Sequence, residues 1–179
     1  MDISGLRSFL SEENIKMHQG YLKNLKLRYS LNEKSIQNLK GKSMDEVRRM
    51  GIKKSVKEEL LALLSEIKLH ECYFRSFSSV SSTSELIKKH YGSDSSFRYE
   101  LLLCARESPG DFLCVFLRGR STPEIRACRN DFLAHRAEMP SLALDLCEHA
   151  YFFDYGYGKE AYLRAAISHL DCSKLSVSP

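Results

Sequence analysis

The sequence predicts an α+β protein in which an all-α N-terminal helical hairpin, residues 1–80, precedes a C-terminal domain, residues 81–179, with a small antiparallel sheet flanked by helices. In the first half, apolar residues recur three and four positions apart, which is typical of helices with one buried face. A serine-rich run, residues 76–84, then interrupts this pattern and suits a linker. Beyond it, short apolar or alternating runs bounded by Gly, Ser or Pro are typical of strands.

The N-terminal part contains two main predicted helices. The first begins near Ser11, whose side chain can cap it. Its predicted buried face consists of Ile15, His18, Leu22 and Leu25. The second helix covers about residues 55–77. The connection between them, residues 32–51, is polar and rich in lysine, and a short helix is expected at residues 43–47.

The C-terminal part alternates between helical and extended patterns. Residues 85–106 are predicted to be mostly helical, and the period returns to that of a helix over residues 157–175. Three short runs between them read as strands: residues 112–117, 124–128 and 141–145.

Composition excludes several classes of protein. The net charge of +4 is small, and acidic and basic residues alternate, so a nucleic-acid partner is not expected. No apolar stretch approaches the roughly 18–20 residues that span a bilayer, and the N-terminus has no signal or transit pattern. Six cysteines without a CxxC pair are expected to be reduced thiols. These features predict a cytoplasmic protein that does not bind membranes.

One segment carries a specific resemblance. Residues 145–151 read Asp-Leu-Cys-Glu-His-Ala-Tyr, which is similar to the Asp-Val-Trp-Glu-His-Ala-Tyr signature of iron/manganese superoxide dismutases, with Cys147 in place of the tryptophan. In that family the aspartate ends a strand, the histidine begins the next helix, and both bind one metal ion. The resemblance therefore implies that Asp145 and His149 are metal ligands.

Upstream segments extend the resemblance. Residues 10–18 are similar to the family's Ile-Ser-x-x-Thr-hydrophobic-x-x-His, which implies that His18 is the first ligand. Residues 41–47 resemble Gly-Lys-Ser-Leu-Glu-Glu-Ile, and residues 69–74 resemble Asn-His-Thr-Phe-Tyr-Trp, which implies that His70 is the second ligand. The resemblance thus implies one iron or manganese ion per chain, bound between the two domains.

These residue types suit the implied chemistry. Three neutral imidazoles and one carboxylate favour a borderline metal such as iron or manganese and leave a fifth position for solvent. The expected activity is disproportionation of superoxide to oxygen and hydrogen peroxide. A mildly basic approach to the metal would steer the superoxide anion inward.

A second alignment of the first helix is also open. Residues 16–25 can be laid on the family's Lys-His-His-x-x-Tyr-Val-x-Asn-Leu, which puts Glu13 at the ligand position and Tyr21 at the substrate-gating tyrosine. The spacing to residues 41–47 favours His18 as the ligand. In the favoured alignment, the gating tyrosine and its histidine neighbour are replaced by Lys26 and Leu22.

The surroundings of the implied metal site depart from the family's pattern. The family surrounds its metal with tryptophans, and this chain contains none. The family also places a glutamine against the metal-bound solvent, and its two possible positions are occupied here by Glu66 and Asp131. An ionised carboxylate can only accept a hydrogen bond, whereas an amide can donate one. Tyr21, Glu66 and Asp131 are therefore the candidate catalytic residues, with activity expected to be reduced.

Two further expectations concern partners and function. Glu148 matches the glutamate that joins two subunits in the family, which implies a homodimer, although Phe152 replaces the tyrosine of that network. Because a fold does not by itself determine function, the alternative is a non-catalytic protein of the same fold that acts as a metal-binding or protein-interaction module.

Overall fold

Helices form most of the chain, and three strands form one sheet. The computed structural model describes residues 3–79, 83–119, 121–136 and 138–175. Its helices are α1 (Glu12–Ser35), α2 (Met44–Arg49), α3 (Lys54–Arg75), α4 (Glu85–Tyr91), α5 (Asp94–Glu107), α6 (Phe152–Tyr155) and α7 (Lys159–Ser168). Its strands are β1 (Phe112–Arg118), β2 (Thr122–Cys128) and β3 (Leu142–Asp145). The predicted α+β class is confirmed. The predicted domain boundary, between residues 80 and 81, lies outside the described residues.

The N-terminal helices begin where their capping residues predict. The Ser11 hydroxyl accepts a hydrogen bond from the backbone N–H of Asn14 at 3.1 Å and caps α1. At α2, Ser43 and Glu46 form a complete capping box, in which each side chain accepts from the other residue's backbone N–H. The predicted buried face of α1 is confirmed, and it packs along α3.

The sheet has the antiparallel order β2-β1-β3. Its central strand, β1, is buried from Phe112 to Phe116, as expected for a strand covered on both faces. The register places Phe112 opposite Asp145, so the end of β3 lies beside the start of β1. The three predicted strands are confirmed.

Buried serines join α3 to the C-terminal part of the chain. The Ser76 hydroxyl accepts a hydrogen bond from the backbone N–H of Ala143 in β3 at 2.8 Å. The Ser65 hydroxyl accepts one from the N–H of Leu133 at 2.9 Å. Apolar side chains of α1, α3, α5, α7 and the sheet form one continuous core. The two halves are therefore packed on one another through the face of α3.

The last predicted helix is shorter in the structure than in the prediction. Instead of continuing to residue 175, α7 ends at Ser168, and the chain then pairs Leu170 with Phe77 before a short 3-10 helix. Arg98 of α5 donates hydrogen bonds to the carbonyl oxygens of Ile167 and Leu170, which satisfies groups that the interrupted helix leaves free. Within the described residues, no helix has the length and apolar character of a membrane span.

Candidate metal centre

Four side chains from both halves of the chain converge on one point. His18 comes from α1, His70 from α3, Asp145 from the end of β3, and His149 from a short 3-10 helix that follows. One donor atom from each lies within 4.8 Å of the others. Among the described residues, this is the single group of three or more His, Cys, Asp or Glu side chains that converges in this way.

Asp145 is the centre of the group. Its Oδ2 atom lies 3.0 Å from Nε2 of His149, 3.2 Å from Nε2 of His18 and 3.4 Å from Nε2 of His70. Its Oδ1 atom accepts a hydrogen bond from the backbone N–H of Cys147 at 2.9 Å. Burial opposes ionisation, but the contacts with His149 and His18 outweigh it and hold the pKa of Asp145 well below its ordinary value. The Asp145 side chain is therefore an ionised carboxylate at neutral pH.

The histidines present their Nε2 atoms to this carboxylate. The Nδ1–H of His70 donates a hydrogen bond to the backbone carbonyl of Glu66 at 2.8 Å, which leaves a lone pair on its Nε2. His18 is almost completely buried; its Nε2 lies 3.2 Å from Asp145 Oδ2, and its Nδ1 has no hydrogen-bond partner among the described residues. Burial lowers the pKa of His18 more than the neighbouring Asp145 raises it. The His18 ring is therefore neutral and able to act as a ligand.

The donor set fits a single metal ion. The Nε2 atoms of His70 and His149 are only 3.2 Å apart, a separation that suits a proton or a cation shared between them. Three imidazoles and one carboxylate match the ligand preferences of iron and manganese. The side chain of His149 is 29% exposed, whereas the other three are buried, so the centre is open to solvent on the His149 side.

Tyr21 and Glu66 lie at this open side. The Tyr21 ring stacks on the His149 ring with centroids 4.4 Å apart, and its hydroxyl donates a hydrogen bond to Glu66 Oε1 at 2.5 Å. Burial and the hydrogen bond to Glu66 raise the pKa of Tyr21, so its hydroxyl stays protonated. Tyr21 thus lies beside the same centre to which His18 contributes a donor atom.

This arrangement bears on the two alignments of the first helix. Glu13 is exposed and does not belong to the converging group, whereas His18 does. Lys26, at the gating position of the favoured alignment, is exposed, and its Nζ pairs with Glu71 Oε1 at 2.9 Å. Since residues three apart share one face of a helix, His18 and Tyr21 reach the same centre together.

A cavity of about 450 Å³ opens beside Glu66. Asp131 forms part of its wall but is about half exposed and has no hydrogen bond or ion pair with the four converging side chains. The cavity is lined by Arg28, Glu59, Ala62, Leu63, Glu66, Asp111, Arg129, Asn130 and Asp131. Four carboxyl groups face two guanidinium groups, so this wall lacks the excess of basic residues expected from the sequence.

Two residues near the centre escaped the sequence analysis. The buried Tyr162 hydroxyl donates a hydrogen bond to the backbone carbonyl of Asp145 at 2.8 Å, which fixes the end of β3. Asp111 lies in the cavity wall and accepts a hydrogen bond from the N–H of Asn130 at 2.9 Å. The register of β1 and β3 could have identified Asp111, because it precedes Phe112, the residue opposite Asp145. Tyr162 has no comparable signal, since its position depends on how α7 packs.

Comparison with known proteins agrees with this geometry. No curated protein matches the chain. Residues 79–177 match the C-terminal domain of iron/manganese superoxide dismutases, and this match covers more than half of the chain. It includes Asp145 and His149, two of the four converging side chains. The chain therefore belongs to the iron/manganese superoxide dismutase family.

Proposed function

We propose that the protein is a superoxide dismutase that binds one iron or manganese ion through His18, His70, Asp145 and His149. The observation that carries the proposal is the convergence of these four donors on one point, three of them buried. Burying a carboxylate and three imidazoles together costs stability unless a proton or a cation links them. A bound ion would satisfy all four groups at their converging donor atoms.

The reaction needs both an electron carrier and protons. Two superoxide anions and two protons give one oxygen and one hydrogen peroxide, and the bound ion would supply the one-electron oxidation and reduction. We propose that the Tyr21 hydroxyl holds a proton for the peroxide and that Glu66 orients this hydroxyl by accepting its hydrogen bond. They are joined by a short hydrogen bond beside the exposed His149, where superoxide would enter.

We further propose that the carboxylate of Glu66 makes the enzyme slower than its relatives with an amide at this position. A carboxylate accepts the Tyr21 hydrogen bond but cannot donate one to a neighbouring anion, whereas glutamine can do both. Asp131 lies in the wall of the same cavity. We propose that Asp131 influences how superoxide approaches the metal centre.

We also propose a homodimer through Glu148 and a cytoplasmic location. Glu148 is exposed next to three exposed aromatic side chains, Phe152, Phe153 and Tyr157, which is typical of a surface that a partner covers. All six cysteines are free thiols, as suits a reducing compartment. Sedimentation of the wild type and of Glu148→Ala tests the dimer, since a monomeric wild type would contradict it.

Metal content tests the proposed site. The purified protein should contain about one iron or manganese ion per chain, and His70→Ala and Asp145→Ala should lose it, because each removes one of four ligands. His90→Ala is the matched control, since His90 is exposed and lies outside the converging group. Full metal content in both ligand variants would refute the assignment.

Dismutation rates test the proposed activity. Pulse radiolysis at matched metal content should show dismutation by the wild type, a faster rate for Glu66→Gln and a slower rate for Tyr21→Phe. Asp131→Gln should raise the rate less than Glu66→Gln, because Asp131 does not contact the ligands. If the metal-loaded wild type is no faster than His70→Ala, the alternative of a non-catalytic metal-binding or interaction module replaces the enzyme.

A further inference from the structure

Asn14 is a buried amide whose side chain has no partner. It is 0% exposed, and neither its Oδ1 nor its Nδ2 atom has a hydrogen bond within the described part of the chain. An unpaired buried polar group costs about 1–3 kcal/mol, and native proteins contain few of them. An apolar residue would pack in this position without that cost. The buried amide of Asn14 therefore indicates a hydrogen-bond partner in the functional state of the protein.

Helix capping does not supply this partner. Asn14 is the third residue of α1, where a side chain can accept a hydrogen bond from the N–H of the capping residue. Here the N–H of Ser11 is already donated to Asp154 Oδ2 at 2.8 Å. In α2 the equivalent position is occupied by Glu46, whose carboxylate does accept from Ser43. Asn14 lies at the position of a capping box but does not complete one.

The Nδ1 atom of His18, four residues further along α1, also lacks a partner. A histidine that binds a metal through Nε2 carries its proton on Nδ1, and that N–H needs an acceptor. His70 has one in the carbonyl of Glu66, but Nδ1 of His18 has none. Residues four apart are neighbours on a helix and side chains lean toward its N-terminus, so Asn14 and His18 share the buried face of α1.

We propose that Asn14 is a positioning residue for the metal centre: its Oδ1 accepts the Nδ1–H of His18 when an ion is bound at Nε2. This inference rests on the proposed metal binding. The hydrogen bond would hold the ring in the tautomer that ligates and would pair two buried groups that are otherwise unpaired. Partners of this kind typically change metal affinity by about 10–100-fold.

The test is the affinity of the metal-free protein for Mn²⁺, measured by competition with a chelator, together with thermal unfolding of each metal-free variant. Asn14→Leu has a similar size but no acceptor, and it should bind Mn²⁺ about 10–100-fold more weakly without losing thermal stability. Asn14→Asp keeps an acceptor and should bind at least as tightly as the wild type. Tyr29→Phe is the matched control, since it removes another unpaired buried atom from α1 and should leave the affinity unchanged.

The outcomes separate this inference from the proposed activity. Equal affinity of Asn14→Leu and the wild type would overturn the role of Asn14, and so would weak binding by Asn14→Asp. The Asp variant decides the question alone if the Leu variant does not fold. If the wild type binds Mn²⁺ but does not dismute superoxide, the proposed enzymatic activity is refuted. The Mn²⁺ affinities of the variants would still decide the role of Asn14. A wild type that binds no metal would refute both.

Discussion

Removing one negative charge from the cavity wall should speed the capture of superoxide. Four carboxyl groups and two guanidinium groups line this cavity, so an incoming anion meets more negative than positive side chains. Glu59 is the most informative residue to change, because it is exposed on α3 and belongs to neither the ligands nor the Tyr21–Glu66 pair. Glu59→Gln removes its charge and keeps its size and helix propensity.

The size of the effect follows from the size of the cavity. A sphere with the observed volume of about 450 Å³ is about 10 Å across. Two like charges about 10 Å apart in water repel by about 0.4 kcal/mol, which corresponds to about a twofold change in rate. At about 0.01 M salt the screening length is about 30 Å, so about 0.3 kcal/mol remains and the gain is about 1.6-fold. At about 0.15 M it is about 8 Å, so the gain falls to about 1.2-fold.

Pulse radiolysis at both salt concentrations measures this difference. Glu59→Gln should be about 1.6-fold faster than the wild type at low salt and nearly equal to it at high salt. Glu100→Gln makes the same charge change at an exposed position of α5 outside the cavity wall and should have little effect. The electrostatic reasoning is refuted if the two variants behave alike, or if Glu59→Gln is slower than the wild type.

Further predictions concern stability and thiol chemistry. Gly110→Ala should lower the free energy of unfolding by about 1–3 kcal/mol, because the added Cβ would lie 2.7 Å from the carbonyl oxygen of Cys128. Gly20→Ala should raise the free energy of unfolding by about 0.5–1 kcal/mol, since that helical position has open space. Urea unfolding measures both variants, and a more stable Gly110→Ala than Gly20→Ala would contradict both predictions. Burial raises the pKa of Cys72 to about 11, so the folded protein holds less thiolate at pH 8 than the unfolded chain. Alkylation and mass spectrometry should find Cys72 unmodified while the partly exposed Cys104 reacts, and equal labelling would count against the burial argument. For the same reason, stability should fall as the pH rises from about 8.5 towards the pKa of Cys72 in the folded state, and a flat alkaline profile in urea unfolding would speak against it.

Much of this fold can be predicted from short sequence patterns, because residues close together in the chain determine where many of its helices and strands form. The α1 stripe of Ile15, His18, Leu22 and Leu25 is buried as its spacing predicts, since one helical face has one environment. The end of α7 could not be predicted in this way. It depends on Arg98, which lies on another helix and binds carbonyl oxygens at the helix end.

The candidate centre was predictable only in part, for a related physical reason. The signature around Asp145 and His149 is local, so the sequence indicated both residues. One alignment of α1 makes His18 a ligand, and the other makes Tyr21 the gating tyrosine. In the structure both residues lie on one helical face and reach the same centre. The charge of the cavity wall depends on α1, on α3, on the residue before β1 and on the segment after β2, which only the tertiary structure brings together. The expectation of a basic approach therefore did not hold for this wall.

The long-range ties of α1 bear on how the protein is made. The N–H of Ser11 is held by Asp154, 143 positions later in the chain, and the Tyr155 hydroxyl donates a hydrogen bond to the carbonyl of Phe9 at 2.6 Å. A ribosome that has synthesised only the first two converging histidines has not yet supplied Asp145 or the residues that fix the start of α1. The nascent chain can therefore offer only two of the four converging imidazole and carboxylate groups until residues 145–149 have emerged. The proposed metal centre can in this way be completed only after residues 18–149 have all been translated.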